Sequence, residues 1–305
     1  MIDNSRATPI IKWAGGKTKV LKQLITKFPF ELHYGKIRNY YEPFFGGGAV
    51  FFNIIQNYNI QNCVLSDVNE ELMLFYNVVK KDPNKLLSFV EKYQSNYDRL
   101  TDSDKEKFYY EIRNTYNIER FNIDFNDYSY LFVPRAAQML FLNKTCYNGL
   151  FRQNLRGEFN VPFGKNYKTN IVDKNNLYKV SKTLENVSLL CTDFQEICEK
   201  IEDRDSFVYL DPPYRPINKS ARFTNYHMSN FIDNDQFRLA EIFKKLNEKN
   251  VKLMLNNSCS NTYDDSGVIE NFYKDFQISY INTSSTMSSI SSKRKKINEL
   301  IITNY

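Results

Sequence analysis

"YYEPFFGGGAVFF", residues 40–52, decides the fold. "NYYEPF" (39–44) reads as a short strand, three glycines follow at 46–48, and an apolar helical pattern begins at once. Strand, glycine turn and helix in that order open a βαβ unit. Gly46, Gly47 and Gly48 allow tight backbone geometry and close approach of a ligand, although a purely structural turn explains the glycines alone equally well. "NCVLSD" (62–67) reads as the next strand and ends on Asp67, 21 positions after Gly46. A carboxylate there can hold both hydroxyls of a ribose, which favours a nucleoside ligand. The dinucleotide fingerprint GxGxxG is not met, because Phe51 stands at its third glycine position.

Outward from this unit the alternation continues. "NEELMLFYNVVKK" (69–81) has apolar residues at helical spacing. Towards the end, "VSLLCTD", "SFVYLD", "VKLMLN" and "ELIIT" are strand candidates, with "DQFRLAEIFKKLNEK" a helix among them. Such alternation predicts an α/β fold, a mostly parallel Rossmann-like sheet with helices on both faces. The middle differs. Residues 82–145 read mainly as helices, such as "DKEKFYYEIRNTY" and "RAAQMLFLNK". Residues 146–170, "CYNGLFRQNLRGEFNVPFGKNYKTN", carry no sustained period and too many aromatics for a passive linker. The expected organisation is a catalytic domain of residues 1–81 and 171–305, with residues 82–170 inserted as a mainly helical recognition domain bearing a β-hairpin-like loop.

The chain has 305 residues, 42% hydrophobic and 15% aromatic, enough for a real core. Its net charge of +6 is compatible with a polyanionic partner but does not require one. Five cysteines form no CxxC pair, and His33 and His227 are the only histidines, which argues against a disulfide framework, a zinc site and a histidine triad. "MIDNSRATPIIKW" has no charged-then-apolar signal pattern, and no run nears the ~18 apolar residues of a membrane span. The expectation is a cytoplasmic protein with no metal and no membrane partner.

"YLDPPYRP" (209–216) carries the chemistry. Asp211 ends an apolar strand, where ligands sit in open α/β sheets. Pro212 and Pro213 stiffen the backbone and remove two competing donors. Tyr214 adds a planar face. A carboxylate, a rigid carbonyl and an aromatic plate suit a flat heterocycle with an exocyclic amino group. A surface aspartate in a structural turn is the plain alternative, and the full D-P-P-Y after an apolar strand argues against it.

These motifs resemble the Dam family of DNA adenine-N6 methyltransferases. The similarity runs in order through "IIKWAGGKTKVL" (10–21), "YYEPFFGGGAVFF", "LSDVNEEL" (65–72), "YNGLFRQNLRGEFNVPFG" (147–164), "YLDPPYRP", "ARFTNYH" (221–227) and "KRKKINEL" (293–300). The resemblance spans nearly the whole chain, with residues 82–130 the least distinctive. The resemblance implies S-adenosyl-L-methionine as methyl donor, S-adenosyl-L-homocysteine as product, and double-stranded DNA as substrate, with the target adenine flipped out. It assigns Asp211, Pro212, Pro213 and Tyr214 to catalysis. Trp13, Lys17, Glu42, Phe44, Gly46, Gly48, Asp67, Asp193 and Asp211 would bind the cofactor, Asp67 at the ribose and Asp193 at the adenine. Helix capping explains Asp193 almost as well. Tyr147, Asn148, Leu150, Arg152, Pro162 and Lys165 would contact DNA, with Arg152 on the first guanine of GATC and Tyr147 and Asn148 wedged beside the flipped base. After "NVPFG" this chain reads Lys165-Asn166-Tyr167-Lys168, where relatives often read Arg-Tyr-Lys, which puts the outer base pairs in doubt. Arg215, Lys219, Arg222 and the run Lys293–Lys296 are candidate phosphate contacts, and "NTSSTMSSISSKRKK" (282–296) is expected to order only on DNA. The expected state is a monomer on DNA, either solitary or paired in function with a restriction endonuclease. Three rival readings are a nicotinamide dehydrogenase, a catalytically silent DNA-binding protein, and a methyltransferase for another recognition site or RNA.

Overall fold

The structure is a computed structural model and describes residues 6–214, 231, 233–258, 268–284 and 296–305. In chain order the first half holds α1 (Leu21–Ile25), α2 (Phe30–His33), β1 (Asn39–Glu42), α3 (Ala49–Asn57), β2 (Asn62–Asp67), α4 (Glu70–Lys81), α5 (Pro83–Arg99), α6 (Asp102–Glu119) and α7 (Phe132–Thr145). The second half holds α8 (Lys174–Leu184), β3 (Val187–Cys191), α9 (Phe194–Cys198), β4 (Ser206–Leu210), α10 (Asp233–Glu248), β5 (Lys252–Ser258), α11 (Val268–Phe272), β6 (Gln277–Ser284) and β7 (Lys296–Thr303).

The seven strands form one sheet in the order β3-β2-β1-β4-β5-β7-β6. The five strands from β3 to β5 run parallel, while β7 lies antiparallel between β5 and β6. The order reverses between β1 and β4, so a crevice opens at the carboxyl ends of those two strands. The apolar runs of β4, β5 and β7 are continuous because both faces are covered. Phe207, Tyr209, Met254 and Ile301 face one core, and Val208, Leu210, Leu253, Leu255, Leu300 and Ile302 the other. The first core continues without a break into the middle helices, through Leu86, Val90, Tyr97, Tyr109 and Phe141.

Helix starts follow their sequence signals. The Asn69 side chain accepts from Leu72 N–H at 3.0 Å and caps α4, and Pro83 opens α5. Strand β1 stops at Glu42, short of the expected 44, because Pro43 has no N–H for the ladder. Strand β6 was not legible: it is an edge strand with Tyr280 exposed, so it lacks the apolar run that marks its neighbours.

The glycine turn is tightest at Gly48, whose φ is +74°. A Cβ there would lie 2.5 Å from the Phe45 ring, and Phe45 is packed against Tyr76 at 4.7 Å. Gly48→Ala is therefore expected to cost about 2–4 kcal/mol, from left-handed strain plus overpacking. A urea unfolding curve superposing on the wild type would refute this.

Candidate active site

Strand β4 delivers the DPPY stretch to the crevice. Asp211 Oδ2 pairs with Lys17 Nζ at 2.7 Å, and Lys17 is almost fully buried. The same ammonium donates to the Gly15 carbonyl at 2.6 Å and lies 5.0 Å above the Tyr214 ring. The other oxygen, Oδ1, is faced by Asn256 Nδ2 at 3.5 Å, the outer limit of a hydrogen bond. Burial pushes the Asp211 carboxyl up from its ordinary value, and the Lys17 cation opposes this. Burial, reinforced by the Asp211 and Glu299 carboxylates, also pushes the Tyr214 phenol up, so its hydroxyl keeps its proton.

The glycine turn and β2 supply the other wall. Asp67 Oδ2 accepts from Gly46 N–H and Oδ1 from Asn69 N–H, each at 3.0 Å. Burial raises the Asp67 carboxyl, and these backbone donors oppose it. Glu42, at the end of β1, is buried and accepts from the Tyr40 hydroxyl at 2.6 Å. Burial holds its carboxyl well above the usual range, and the nearby Asp211 charge adds to this. The Trp13 ring lies along the turn, 3.0 Å from where a Cβ on Gly46 would sit, and stacks on Phe151 at 5.1 Å. Asp193 caps α9 by accepting from Gln195 N–H, and the same Oδ1 takes a 2.6 Å bond from Arg238. Capping is thus a real role of Asp193, and among the described residues its bonds fall on Oδ1.

These groups line one cavity of about 510 Å³. Every expected catalytic and cofactor residue borders it, from Trp13, Lys17, Glu42 and Phe44 through Gly46, Gly48, Asp67 and Asp193 to Asp211, Pro212, Pro213 and Tyr214. That size is in the range of sites for nucleoside-sized ligands. Aromatic walls at Trp13, Phe44 and Phe194 stand among carboxylates suited to hydroxyl, amino and cationic groups. The Tyr209 hydroxyl also borders the cavity, buried and without a partner among the described residues. This donor and acceptor set fits S-adenosylmethionine. Among the described residues no His, Cys, Asp and Glu cluster suits a metal.

Comparison with known proteins agrees. A family model for the D12 class N6 adenine-specific DNA methyltransferases matches residues 13–287. The chain belongs to this family. It is 44% identical to the type II methyltransferase M.MjaIII of Methanocaldococcus jannaschii, over 97% of this chain and 99% of that one. It is 34% identical to the type II methyltransferase M1.LlaDCHI of Lactococcus lactis subsp. cremoris, over 97% and 95%. It is 31% identical to the DNA adenine methylase of Escherichia coli (strain K12), over 95% and 93%. Methyltransferases of this kind generally use S-adenosylmethionine, and DNA is the family's substrate.

In this methyltransferase the segment 146–170 carries two isolated antiparallel bridges, Cys146 to Phe163 and Gln153 to Phe159, and no continuous ladder. The middle helices hold it in place. Tyr109 donates to Val161 O at 2.7 Å, Asn117 exchanges two bonds with Phe159, and Lys105 donates to Tyr167 O at 2.9 Å. Asn143 ties the segment to the N-terminal stretch by bonding both Gly149 O and Lys12 O. Arg152 reaches the cavity rim, and its Nε donates to Asn160 Oδ1 at 2.7 Å. Tyr147, Asn148, Leu150, Pro162 and Lys165 are exposed and lie outside the cavity. Asn148 and Lys165 have φ values of 60° and 53°.

Arg215, Lys219, Arg222 and the run Lys293–Lys295, with the side chain of Lys296, lie outside the described residues, as does "ARFTNYH". Among the residues around the site that received no role from the sequence are Phe194 and Asp235 on the cavity wall, and Arg238, Asn256 and Glu299 behind it. The only local signal was "NNS" at the end of an otherwise apolar strand. No helix among the described residues is long and apolar enough to cross a membrane.

Proposed function

We propose that this chain transfers the methyl group of S-adenosylmethionine to N6 of an adenine flipped out of double-stranded DNA, within GATC. The observation that carries this reading is Asp211: one carboxylate oxygen is tied to Lys17, the other is left at the outer limit of a bond beside the Tyr214 ring. When bound, the cofactor supplies an electrophilic methyl group on a sulfonium. Asp67 would hold its ribose, Asp193 its adenine, and Glu42, Phe44, Trp13 and Lys17 the remainder of the cavity wall. Gly46 and Gly48 would let the backbone approach it.

An adenine amino nitrogen is a weak nucleophile because its lone pair is delocalised into the ring. Asp211 Oδ1 and the Pro212 carbonyl would accept its two N–H bonds and draw the lone pair back onto nitrogen. Preorganised groups of this kind are worth about 3–4 kcal/mol each. Flipping the base costs a few kcal/mol, which stacking on Tyr214 would offset in part. Pro213 keeps that tyrosine at a fixed offset from the aspartate.

Residues 82–170 would form the target-recognition part, and residues 1–81 with 171–305 the catalytic part. The bonds from α6 onto residues 159–167 support that division. Arg152 would read the first guanine. Its Nε is engaged by Asn160, and among the described residues nothing holds its two terminal nitrogens, the fork that matches guanine O6 and N7. Tyr147 and Asn148 would wedge beside the flipped base, and Leu150, Pro162 and Lys165 would contact the rest of the site. The type II names of two relatives support work alongside a restriction endonuclease, and the chain would act as a monomer on DNA. Their archaeal and bacterial sources support a cytoplasmic location.

Tritiated S-adenosylmethionine and two duplexes differing by one GATC site test this. Label in the GATC duplex alone is expected. Label in both removes the GATC assignment, and label in neither removes the function. Arg152→Ala should lower the preference for guanine at its position by about 10–100-fold, the worth of one bidentate pair. Equal weakening on every duplex would make it a phosphate contact instead.

A further inference from the structure

Asn256 and Glu299 lie within "VKLMLN" and "KRKKINEL" but received no role there, yet Asn256 meets the DPPY stretch and Glu299 meets Asn256. The sheet explains how. Leu210 pairs with Leu255, so Asn256 lies beside Asp211 just past the end of the β4 ladder. Asn256 pairs with Ile301 on antiparallel β7, which makes Glu299 its diagonal neighbour on the same face. Three strands therefore bring these side chains together at the crevice. Asn256 is fully buried. Its amide nitrogen has two hydrogens and three acceptors in reach: Glu299 Oε2 at 2.8 Å, Tyr214 Oη at 2.9 Å and Asp211 Oδ1 at 3.5 Å. The Tyr214 hydroxyl accepts from Asn256, and the Glu299 carboxylate accepts from the same amide nitrogen and so orients it.

We propose that Asn256 and Glu299 are positioning residues: Glu299 orients the Asn256 amide, the amide holds the Tyr214 hydroxyl, and the chain of bonds fixes the ring plane on which the target adenine stacks. This rests on the proposed methyl transfer to a flipped adenine. A tyrosine ring on a free side chain must be immobilised whenever a base arrives, and that loss of freedom works against the flipped state. A hydroxyl held by a fully buried amide, itself tied to a carboxylate, has already lost much of it. The arrangement also divides the two hydrogens of Asn256. The two short bonds go to Tyr214 and Glu299, so Asp211 Oδ1 keeps its capacity for the incoming amino group. The uncharged amide lies between two carboxylates, where a second cation beside Lys17 would have claimed that oxygen.

A double-mutant cycle on the full chain tests the idea, read as single-turnover methylation with saturating S-adenosylmethionine. Tyr214→Phe and Glu299→Ala are each expected to slow methylation on the order of tenfold, what a hydrogen bond to a charged group carries. The double variant should be no slower than Tyr214→Phe alone, because Glu299 acts through the hydroxyl already removed. Half-saturating DNA concentration should stay near wild type, since phosphate contacts dominate affinity. A duplex with 2-aminopurine at the target position should flip with wild-type amplitude but show a faster-decaying stacked signal in both single variants. Glu299→Gln keeps an acceptor and should restore most of the rate. If Glu299→Ala loses its cooperative unfolding transition, the cycle is run with Glu299→Asp, whose shorter side chain falls short of Asn256 and whose loss must again vanish in the Tyr214→Phe background. Losses that multiply in the double variant, or a Glu299→Ala rate equal to wild type, overturn the inference while wild-type activity keeps the proposed function. A wild type that labels no duplex removes both.

Discussion

Asp211→Asn is expected to lower the single-turnover methylation rate by about 10²–10³-fold, the usual cost of one misplaced transition-state partner. The geometry makes this sharper than loss of charge. Lys17 Nζ, 2.7 Å from Oδ2, will draw the amide oxygen of an asparagine towards itself. The amide N–H₂ then takes the place of Oδ1 and presents a donor where the adenine amino group needs an acceptor. Affinity for S-adenosylmethionine, followed by isothermal titration, should change only a few-fold because Asp67, Glu42 and the aromatic walls are untouched. Asp211→Ala is the poorer probe. It leaves the Lys17 ammonium buried without its partner, a defect worth about 3–5 kcal/mol, so lost rate and lost stability would mix. An Asp211→Asn enzyme with wild-type turnover would end the acceptor role.

The same carboxylate sets an acid limb. Burial raises Asp211, so the wild-type rate should fall with decreasing pH through a pKa above the ordinary aspartate range, as the acceptor takes up a proton. The sign for stability is opposite. A folded-state pKa above the unfolded value means that the folded state binds the proton more tightly. This group's contribution to stability therefore grows as pH falls through that window and is lost as pH rises through it. Acid loss of rate without loss of the unfolding transition is the expected pattern. An acid limb at the ordinary carboxylate position would show that the burial shift does not reach the active state.

The parts of the fold legible in the sequence are those whose cause is local. β4 reads as a strand because both faces are buried and every residue from Ser206 to Leu210 is inside. α4 reads as a helix because Asn69 caps it and its apolar residues recur at helical spacing. The expected catalytic and cofactor residues that line the cavity could be singled out because they sit within five short stretches, each a local turn or strand end. What stayed hidden depends on partners far away in the chain. Asn256 looks like the polar end of an apolar strand until the register sets it beside Asp211 and Glu299. Arg238 looks like a surface cation on α10 until the fold brings it to Asp193. Glu71 and Arg135 look like ordinary helix-surface charges, and they are the most deeply buried ion pair among the described residues.

That pair carries the second large expectation. Both residues are 1% exposed. Arg135 bonds both Glu71 oxygens, through Nε at 2.7 Å and a terminal nitrogen, and donates to the Tyr116 carbonyl at 2.8 Å. Its guanidinium lies 4.0 Å from the Tyr116 ring centroid, and Arg120 adds a 2.6 Å bond to Glu71. The network thus joins α4, on the sheet side, to α6 and α7. Glu71→Ala would leave the Arg135 cation inside with a single carbonyl partner, and should cost about 3–5 kcal/mol in urea or thermal unfolding. Replacing both charges, Glu71→Leu with Arg135→Met, should recover most of that loss, since the cost lies in the unpaired charge and not in the absence of the pair. The direction of damage also follows from the fold. Tyr109 and Asn117 on α6 hold Val161 and Phe159 of the segment proposed to recognise DNA. A loosened α6 should therefore raise the DNA concentration needed for half-maximal rate, while S-adenosylmethionine still binds with its normal affinity. If Glu71→Ala weakened both ligands alike, the network would be holding the whole chain together rather than the helices that carry the proposed recognition loop.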